Sequence, residues 1–331
     1  MILAGDIGGT NTRMAVFEYD AQHPRVAVEE KYPSGKYNAL HEIVAEFAQK
    51  HDCEITRASF GVAGPVVSGK AKTPNLPWEV DSSRLAQVLD LPRVGLINDL
   101  VANAYGIAWL GPDDVVVINE GDEGARGNAA VISPGTGLGE AGMYWDGRKH
   151  HPFASEGGHA DYAPRDDLEM ELADHLEDRF GRVSYERVLS GPGLLNIYQF
   201  LRDTGRGEEP DWLREEMERE DPSACISRAA LAGKSPLCLQ ALDLLITICG
   251  AEAGNLALKM MAVGGVWLGG GIAPKIAPRL IGSGLFMRAF TSKGRLSHLV
   301  ECIPVRIIMN DKTALMGAAR HAAETDESAA V

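Results

Sequence analysis

Asp6-Ile7-Gly8-Gly9-Thr10-Asn11-Thr12-Arg13 is the stretch on which the reading of this chain turns. Apolar runs flank it, Ile2 to Ala4 on one side and Met14-Ala15-Val16-Phe17 on the other. Both glycines accept positive φ without steric cost, so a Gly-Gly pair between short Val-, Ile- and Phe-containing runs reads as a hairpin turn. A Rossmann fingerprint or a P-loop needs a helix directly after its glycines, and no Gly-Lys-Ser/Thr follows here. A tight turn flanked by Asp6, Thr10, Asn11 and Thr12 offers backbone N–H groups and hydroxyls to a phosphate. It also sets a carboxylate beside them for a metal ion. An ordinary hairpin with polar turn residues fits the same letters.

At 331 residues the chain exceeds one simple core, and two domains are expected. A hydrophobic fraction of 45% with 24% charged residues is that of a soluble globular protein. The formal charge of −14 argues against nucleic acid or an anionic membrane as partner. A nucleotide remains compatible with that charge if backbone dipoles and a divalent cation meet its phosphates locally. Cys53, Cys225, Cys238, Cys249 and Cys302 are scattered and never form a C-x₂₋₄-C pair, which fits reduced thiols in a cytoplasmic protein and gives no zinc signature. Asp6 ends the first apolar run too early for a signal peptide. The apolar region Leu244 to Leu268 is interrupted by Glu252, Asn255 and Lys259, so no membrane span is expected there.

Along the first part of the chain strands and helices alternate, the α/β signal. Residues 2–7 and 12–18 read as paired strands with a third at 25–31. Leu40, Ile43, Val44 and Phe47 carry the spacing of an amphipathic helix over 38–50. A strand over 58–62 leads to a breaker-rich loop containing Asn75 and Trp78, then a helix over 82–89 with Asp81 as cap. A strand over 94–97 stops at Asn98-Asp99, and a helix follows from Val101. From Asn128 the plan of the opening stretch returns: apolar strand, Gly135-Thr136-Gly137 turn, strand over 138–145. Further helices are expected over 167–179, from Ser184, over 194–201 and over 236–260, the last with Ser235 as cap and a proline in its first turn. Residues 203–223 read as a solvated connection, 262–268 as a strand running into Gly269-Gly270-Gly271, and 312–322 as a final helix capped by Asp311. A disordered tail is expected from Glu324. Glycine turns at the ends of strands in two related units suggest a cleft lined with backbone N–H groups on both walls, suited to a polyphosphate.

Several side chains stand out against plainer readings. Asp99 follows an apolar strand, where rigid backbone aims a carboxylate; its plain role is to cap the next helix. Glu156-Gly157-Gly158-His159 is not half of a zinc H-E-x-x-H site, because the order is reversed and two glycines oppose a helix. By spacing alone Glu186 reads as a first-turn glutamate of a helix begun at Ser184. His150 and His151 lack a third metal ligand and read as surface.

Asp6–Arg13, Ile97-Asn98-Asp99, Gly135-Thr136-Gly137-Leu138-Gly139, Glu156–His159, Ser184–Gly193 and Gly269-Gly270-Gly271-Ile272 together resemble the bacterial glucokinase family, in order and over nearly the whole chain. Ser155–Asp161 and Glu186–Gly193 are the most specific parts. The family belongs to the superfamily of sugar kinases, actin and heat-shock chaperones. The resemblance implies an α/β, two-lobed sugar kinase/actin-like (ribonuclease H-like) fold with an inter-lobe cleft. The expected boundaries are 1–110 for a smaller lobe and 111–331 for a larger one, the last helix packing back on the first.

The implied reaction is ATP-dependent phosphorylation of glucose at its 6-hydroxyl, feeding glycolysis. Another hexose (mannose, fructose or an N-acetylhexosamine) is the alternative, and a non-catalytic sugar sensor the more distant one. By the resemblance, Gly5, Asp6, Ile7, Gly8, Gly9, Thr10 and Asn11 form the first phosphate loop, with Asp6 near Mg²⁺. Gly135, Thr136 and Gly137 form the second, and Gly269, Gly270 and Gly271 lie against adenosine. Asn98 and Asp99 bind the sugar with Asp99 as base, and Asn75, Glu156, His159 and Glu186 supply further sugar contacts. ATP and Mg²⁺ are thus the expected cofactors, and a cytoplasmic homodimer the expected assembly. The chain lacks the zinc-binding cysteine cluster of the related repressor/kinase family and begins at the first strand, which disfavours a transcriptional regulator.

Overall fold

The computed structural model describes residues 1–18, 24–73 and 76–327. It divides into a first unit of Met1–Asp114, His151–Ala154 and Asn310–Val331, and a second of Val115–His150 and Ser155–Met309.

In the first unit, β1 (Ile2–Ile7), β2 (Asn11–Glu18) and β3 (Arg25–Pro33) form an antiparallel meander, followed by α1 (Leu40–Lys50) and β4 (Arg57–Val62). The short strands β5 (Val66–Val67), β6 (Lys70–Lys72) and β7 (Glu79–Asp81) precede α2 (Ser82–Leu89), β8 (Gly95–Asn98) and α3 (Asp99–Gly106). The main sheet runs β3-β2-β1-β4-β8, with β4 parallel to both β1 and β8. The two-residue period of a strand sorts its side chains onto two faces. Leu3, Ile7, Met14 and Val16 pack with Leu40, Ile43, Val44 and Phe47 of α1. Ile2, Ala4, Ala15 and Phe17 pack with Leu315, Ala318, Ala319 and Ala322 of the C-terminal helix Thr313–Glu327. Each large apolar side chain so buried contributes roughly 1.5–3 kcal/mol. Asp6 and Arg13 continue the second of these faces, which fixes where they point.

The second unit contains β9 (Val115–Asn119), β10 (Ala129–Pro134) and β11 (Leu138–Trp145); β12 (His150–Ser155) comes next in the chain, its residues His151–Ala154 counted with the first unit. Then come α4 (Asp167–Phe180), α5 (Gly191–Asp203), α6 (Asp211–Arg219), α7 (Pro222–Leu231), α8 (Pro236–Met260), β13 (Gly265–Leu268), α9 (Ala273–Gly282), α10 (Leu285–Thr291), α11 (Ser297–Glu301) and β14 (Val305–Ile308). Its strands pair in the order β11-β10-β13-β14-β9. Helix α8 is the spine of this unit: Leu242, Leu245, Ile246, Cys249 and Leu256 are all buried, and Ser235 caps it by accepting from the Cys238 N–H at 3.3 Å. By length and composition α8 could cross a membrane, but 78% of its most apolar window is buried inside the protein, which identifies a core helix.

Four local expectations are corrected. Residues 203–223 are not a plain connection: they contain α6 and the start of α7. Only Leu213 of α6 is buried, with Met217 partly buried against the same core, so the apolar stripe that announces a helix is thin, while Asp221 caps α7 through the Ala224 N–H at 3.1 Å. No helix starts at Ser184; a single 3₁₀ turn, Tyr185–Arg187, stands there. Gly157–His159 also forms a 3₁₀ turn despite its glycines, because one turn needs only a bond or two. The C-terminal helix continues to Glu327 beyond the expected start of disorder at Glu324, and the rest of that tail lies outside the described residues.

Candidate active site

The first turn is held from below. Gly8 donates its N–H to the Asn11 carbonyl at 3.0 Å, closing the β1–β2 hairpin. Gly8 does not use a left-handed backbone, contrary to expectation. Its glycine is required because a Cβ would sit 2.9 Å from the Asn11 carbonyl oxygen. Ser34, fully buried, donates its hydroxyl to the Gly8 carbonyl at 2.8 Å and its N–H to the Thr10 carbonyl at 3.0 Å. Its hydroxyl also lies 3.0 Å from that of Thr12. Ser34 thus braces both limbs of the turn. Sequence reasoning missed it, although Pro33-Ser34-Gly35 ending a strand was a visible breaker.

Asp6 lies opposite Arg13 in the hairpin register and half-buried on the same face. Burial pushes the Asp6 carboxyl above its usual value, while the Arg13 guanidinium pulls it down and Asp311 opposes that pull. Arg13 is itself held by Asp311, through the carboxylate at 2.6 Å and the backbone carbonyl at 3.1 Å. Parallel pairing sets Asp6 beside Gly61 of β4. A Cβ on Gly61 would come 2.9 Å from the Ala102 Cβ and 3.8 Å from the Asp99 Cα, so the bare glycine admits the first turn of α3. This close approach brings Asp99 to the same end of the sheet as Asp6.

The cap of α3 falls to Asn98 and not to Asp99. The Asn98 amide oxygen accepts from the Leu100 and Val101 N–H groups at 2.9 and 3.3 Å, and its NH₂ donates to the Gly64 carbonyl at 3.1 Å. Asp99 occupies the first helical position, half-exposed, with Oδ1 accepting from the Leu100 N–H at 3.0 Å. Its plain reading as the helix cap is thereby taken over by its neighbour. Asn75 lies outside the described residues.

In the second unit three sequence motifs converge on the start of β11. Gly135 donates its N–H to the Gly137 carbonyl at 2.8 Å, forming the β10–β11 turn, and accepts from the Gly191 N–H at 2.8 Å. Glu186 Oε2 accepts from the Leu138 N–H at 3.0 Å. In the turn after β13, Gly270 has φ of +77°, and a Cβ there would come 2.3 Å from the Pro134 carbonyl oxygen. The Gly269–Gly271 turn therefore lies directly against the Gly135 turn, and α9 begins just beyond it. The 3₁₀ turn at Gly157–His159 packs on the same spot, since a Cβ on Gly158 would come 2.1 Å from the Leu138 carbonyl oxygen. Glu156 precedes this turn and His159 ends it, their side chains more than half exposed and 4.0 Å apart.

Other polar groups are spoken for. His150 Nε2 lies 2.9 Å from the Gly127 carbonyl, and its ring packs on Trp145. Among the described residues, Glu216, Glu220 and Cys225 come close enough together to hold a metal, but Arg228 pairs with both glutamates, making this an ion-pair cluster.

The geometry can be compared with known proteins. A family model described as glucokinase matches residues 3–325. A glucokinase from a Nostoc species is 43% identical over 98% of this chain and 99% of its own. The crystal structure of a glucokinase from an Antarctic psychrotroph superimposes with a TM-score of 0.84 at 31% identity, covering 97% of this chain and 98% of that one. A ROK family glucokinase from Streptomyces griseus, solved in complex with glucose and AMPPNP, matches with a TM-score of 0.64 at 22% identity over 98% of this chain and 99% of that one, a likeness of fold.

Proposed function

This chain belongs to the glucokinase family, and we propose that it transfers the γ-phosphoryl group of ATP to the 6-hydroxyl of D-glucose, giving ADP and glucose 6-phosphate. The observation that supports the reading at the site is the bond from the Leu138 N–H to Glu186, which sets this carboxylate, proposed as a sugar contact, against the Gly135–Gly137 turn. A general nucleotide-binding turn has no need of that carboxylate.

The chemistry asks for few protein groups. The bond from the γ-phosphorus to its bridging oxygen breaks as a bond to the sugar 6-oxygen forms, and the hydroxyl proton leaves to a base. Asp99 is that base: it stands on the rigid first turn of α3, with Asn98 carrying the cap that would otherwise occupy it. Glu156 and Glu186 accept from sugar hydroxyls and His159 contributes a ring nitrogen. Asn98 keeps a second amide N–H for the same purpose. In the Gly8–Asn11 and Gly135–Gly137 turns, which the Gly8 and Gly135 N–H groups close, the remaining backbone N–H groups are the donors for phosphate oxygens, and Gly269–Gly271 leaves a side-chain-free surface for adenosine. Hard oxygen donors suit Mg²⁺, and the Asp6 carboxylate is such a donor; the ion would neutralise phosphate charge. A carboxyl that burial makes costly to ionise gains most from a cation nearby.

The described cysteines are all free thiols, which suits the reducing cytoplasm we assign to it. The homodimer follows from the resemblance alone and is tested by sedimentation. For the activity, purified protein is mixed with Mg·ATP and glucose, and glucose 6-phosphate formation is coupled to NADP⁺ reduction. Glucose-dependent turnover is expected. Faster turnover with fructose, mannose or an N-acetylhexosamine would move the assignment to that sugar, and nucleotide binding without turnover on any hexose would favour a sensor.

A further inference from the structure

Beneath the Glu156–His159 turn lies a carboxyl group with no part in the scheme above. Glu140 points from β11 into the second unit and is 2% exposed. A Cβ on Gly157 would come 2.0 Å from Glu140 Oε2 and 3.0 Å from its Cδ. The Glu140 carboxyl therefore fills the space a side chain at 157 would need, and the turn rests on it. Its other oxygen, Oε1, is buried and finds no hydrogen-bond partner among the described residues. The ionisable groups facing it come from α8: Glu252, Lys259 and the Cys249 thiol. Burial and then Glu252 push the Glu140 carboxyl up to about 7, against the pull of Lys259.

The same cluster reaches the other half of the sugar contacts. Glu252, fully buried, accepts from the Asn255 amide at 2.8 Å and the Lys259 ammonium at 3.2 Å. The Asn255 amide also donates to the Tyr185 hydroxyl at 3.1 Å, and Lys293 donates to the Asn255 oxygen at 2.8 Å. Tyr185 is fixed in the core directly before Glu186. Buried polar groups thus underlie both turns, Glu140 beneath Glu156–His159 and the Glu252–Asn255 pair beneath Tyr185–Arg187.

We propose that Glu140 is a positioning residue for the sugar: its carboxyl supports Gly157 and so keeps the Glu156–His159 turn in register with Glu186, whose neighbour Tyr185 is anchored separately by Asn255 and Glu252. The proposal rests on the reading of Glu156, His159 and Glu186 as sugar contacts. Its physical basis is that a Gly-Gly turn has more backbone freedom than any other. Removing the group beneath it leaves a cavity into which it can sag. Displacements of well under an ångström at groups that orient a substrate are enough to impair its binding or reaction.

The test uses Glu140→Ala and Glu140→Gln in the full chain. Glu140→Ala should raise KM for glucose about tenfold or more while KM for ATP stays within twofold. Glu140→Gln keeps the volume and should restore glucose KM to within about threefold. It should also flatten the dependence of that KM on pH between 6 and 8, where the wild-type carboxyl acquires charge beside Glu252. A rise of both KM values together, or an unchanged glucose KM in Glu140→Ala, overturns the proposal. Hydrogen exchange of the peptide spanning Ser155–Asp161, measured without substrate, separates this failure from that of the sugar reading. Faster exchange in Glu140→Ala, restored in Glu140→Gln, is expected whatever the substrate, and unchanged exchange removes the support role. If Glu140→Ala does not fold, Glu140→Gln alone decides through the pH profile: a profile identical to wild type refutes it.

Discussion

Gly137→Ala is the sharpest probe of how the second unit builds its site. Gly137 has no left-handed backbone to protect, so alanine meets no torsional penalty there. What it meets is Glu186: the new Cβ would lie 2.5 Å from Oε2 and 3.3 Å from Cδ. Ordinary contact begins near 3.4 Å, so the carboxylate must withdraw by about 0.9 Å. That movement stretches the 3.0 Å bond from the Leu138 N–H to Oε2 towards loss. A hydrogen bond to a charged acceptor is worth about 1.5–3 kcal/mol, or roughly 10- to 150-fold in an equilibrium constant. Because Glu186 is a terminal, rotatable group, the fold should survive with Tm lowered by only a few degrees. KM for glucose should rise about 10- to 100-fold and that for ATP much less. Steady-state kinetics with each substrate varied in turn, alongside a thermal melt, gives both numbers. If Gly137→Ala keeps its glucose KM within twofold of wild type, the Glu186–Leu138 contact has no bearing on the sugar.

Gly135→Ala is the matched opposite: the nearest atoms to an added Cβ are 4.0 Å away, so stability should change by no more than about 0.5 kcal/mol. KM for ATP should nevertheless rise if phosphate approaches that backbone, and an unchanged value would take Gly135 out of the nucleotide site. Asp99→Asn should lower kcat by about 10²–10⁴-fold with glucose KM changed only several-fold, and turnover within a few-fold of wild type would remove Asp99 as base. Glu140 bears on stability as well: its carboxyl titrates at 4.5 when unperturbed and about 7 in the fold, so the folded state holds a proton that the unfolded chain releases. The stability it contributes is full below about pH 4.5 and lost as pH rises through 7; from pH 5 to pH 8 the Glu140→Gln variant should gain about 2–3 kcal/mol on wild type in urea denaturation. Parallel curves would contradict the raised value. Galactose, inverted at one ring hydroxyl, should trail glucose by about tenfold to a hundredfold in kcat/KM, because a partner desolvated by the bound sugar is left unpaired; equal values would show that no carboxylate reads that hydroxyl.

Much of this protein was legible from local pattern. The hairpin around Gly8, the caps at Asp81 and Ser235, the amphipathic face of α1 and the strand–turn–strand at Gly135 each depend on residues a few positions apart, and the structure has them. Where the local signal was thin, the reading failed: α6 has a single buried apolar anchor, and the turns at 157–159 and 185–187 are too short to show a period.

The sequence by itself determined the glycine-turn hairpins and the capped or amphipathic helices, because spacing and capping act within one or two turns of chain. Tertiary structure alone decided what each glycine and each acid is for. Gly61, Gly137, Gly157 and Gly270 are glycines because something distant in sequence presses on them: Ala102, Glu186, Glu140 and the Pro134 carbonyl. Ser34 beneath the first turn and Asp311 on Arg13 came from equally remote chain. Asn98 rather than Asp99 is the cap, and its amide also reaches the Gly64 carbonyl. A close approach between backbone and side chain is set by packing over the whole unit, and no spacing along the chain encodes it.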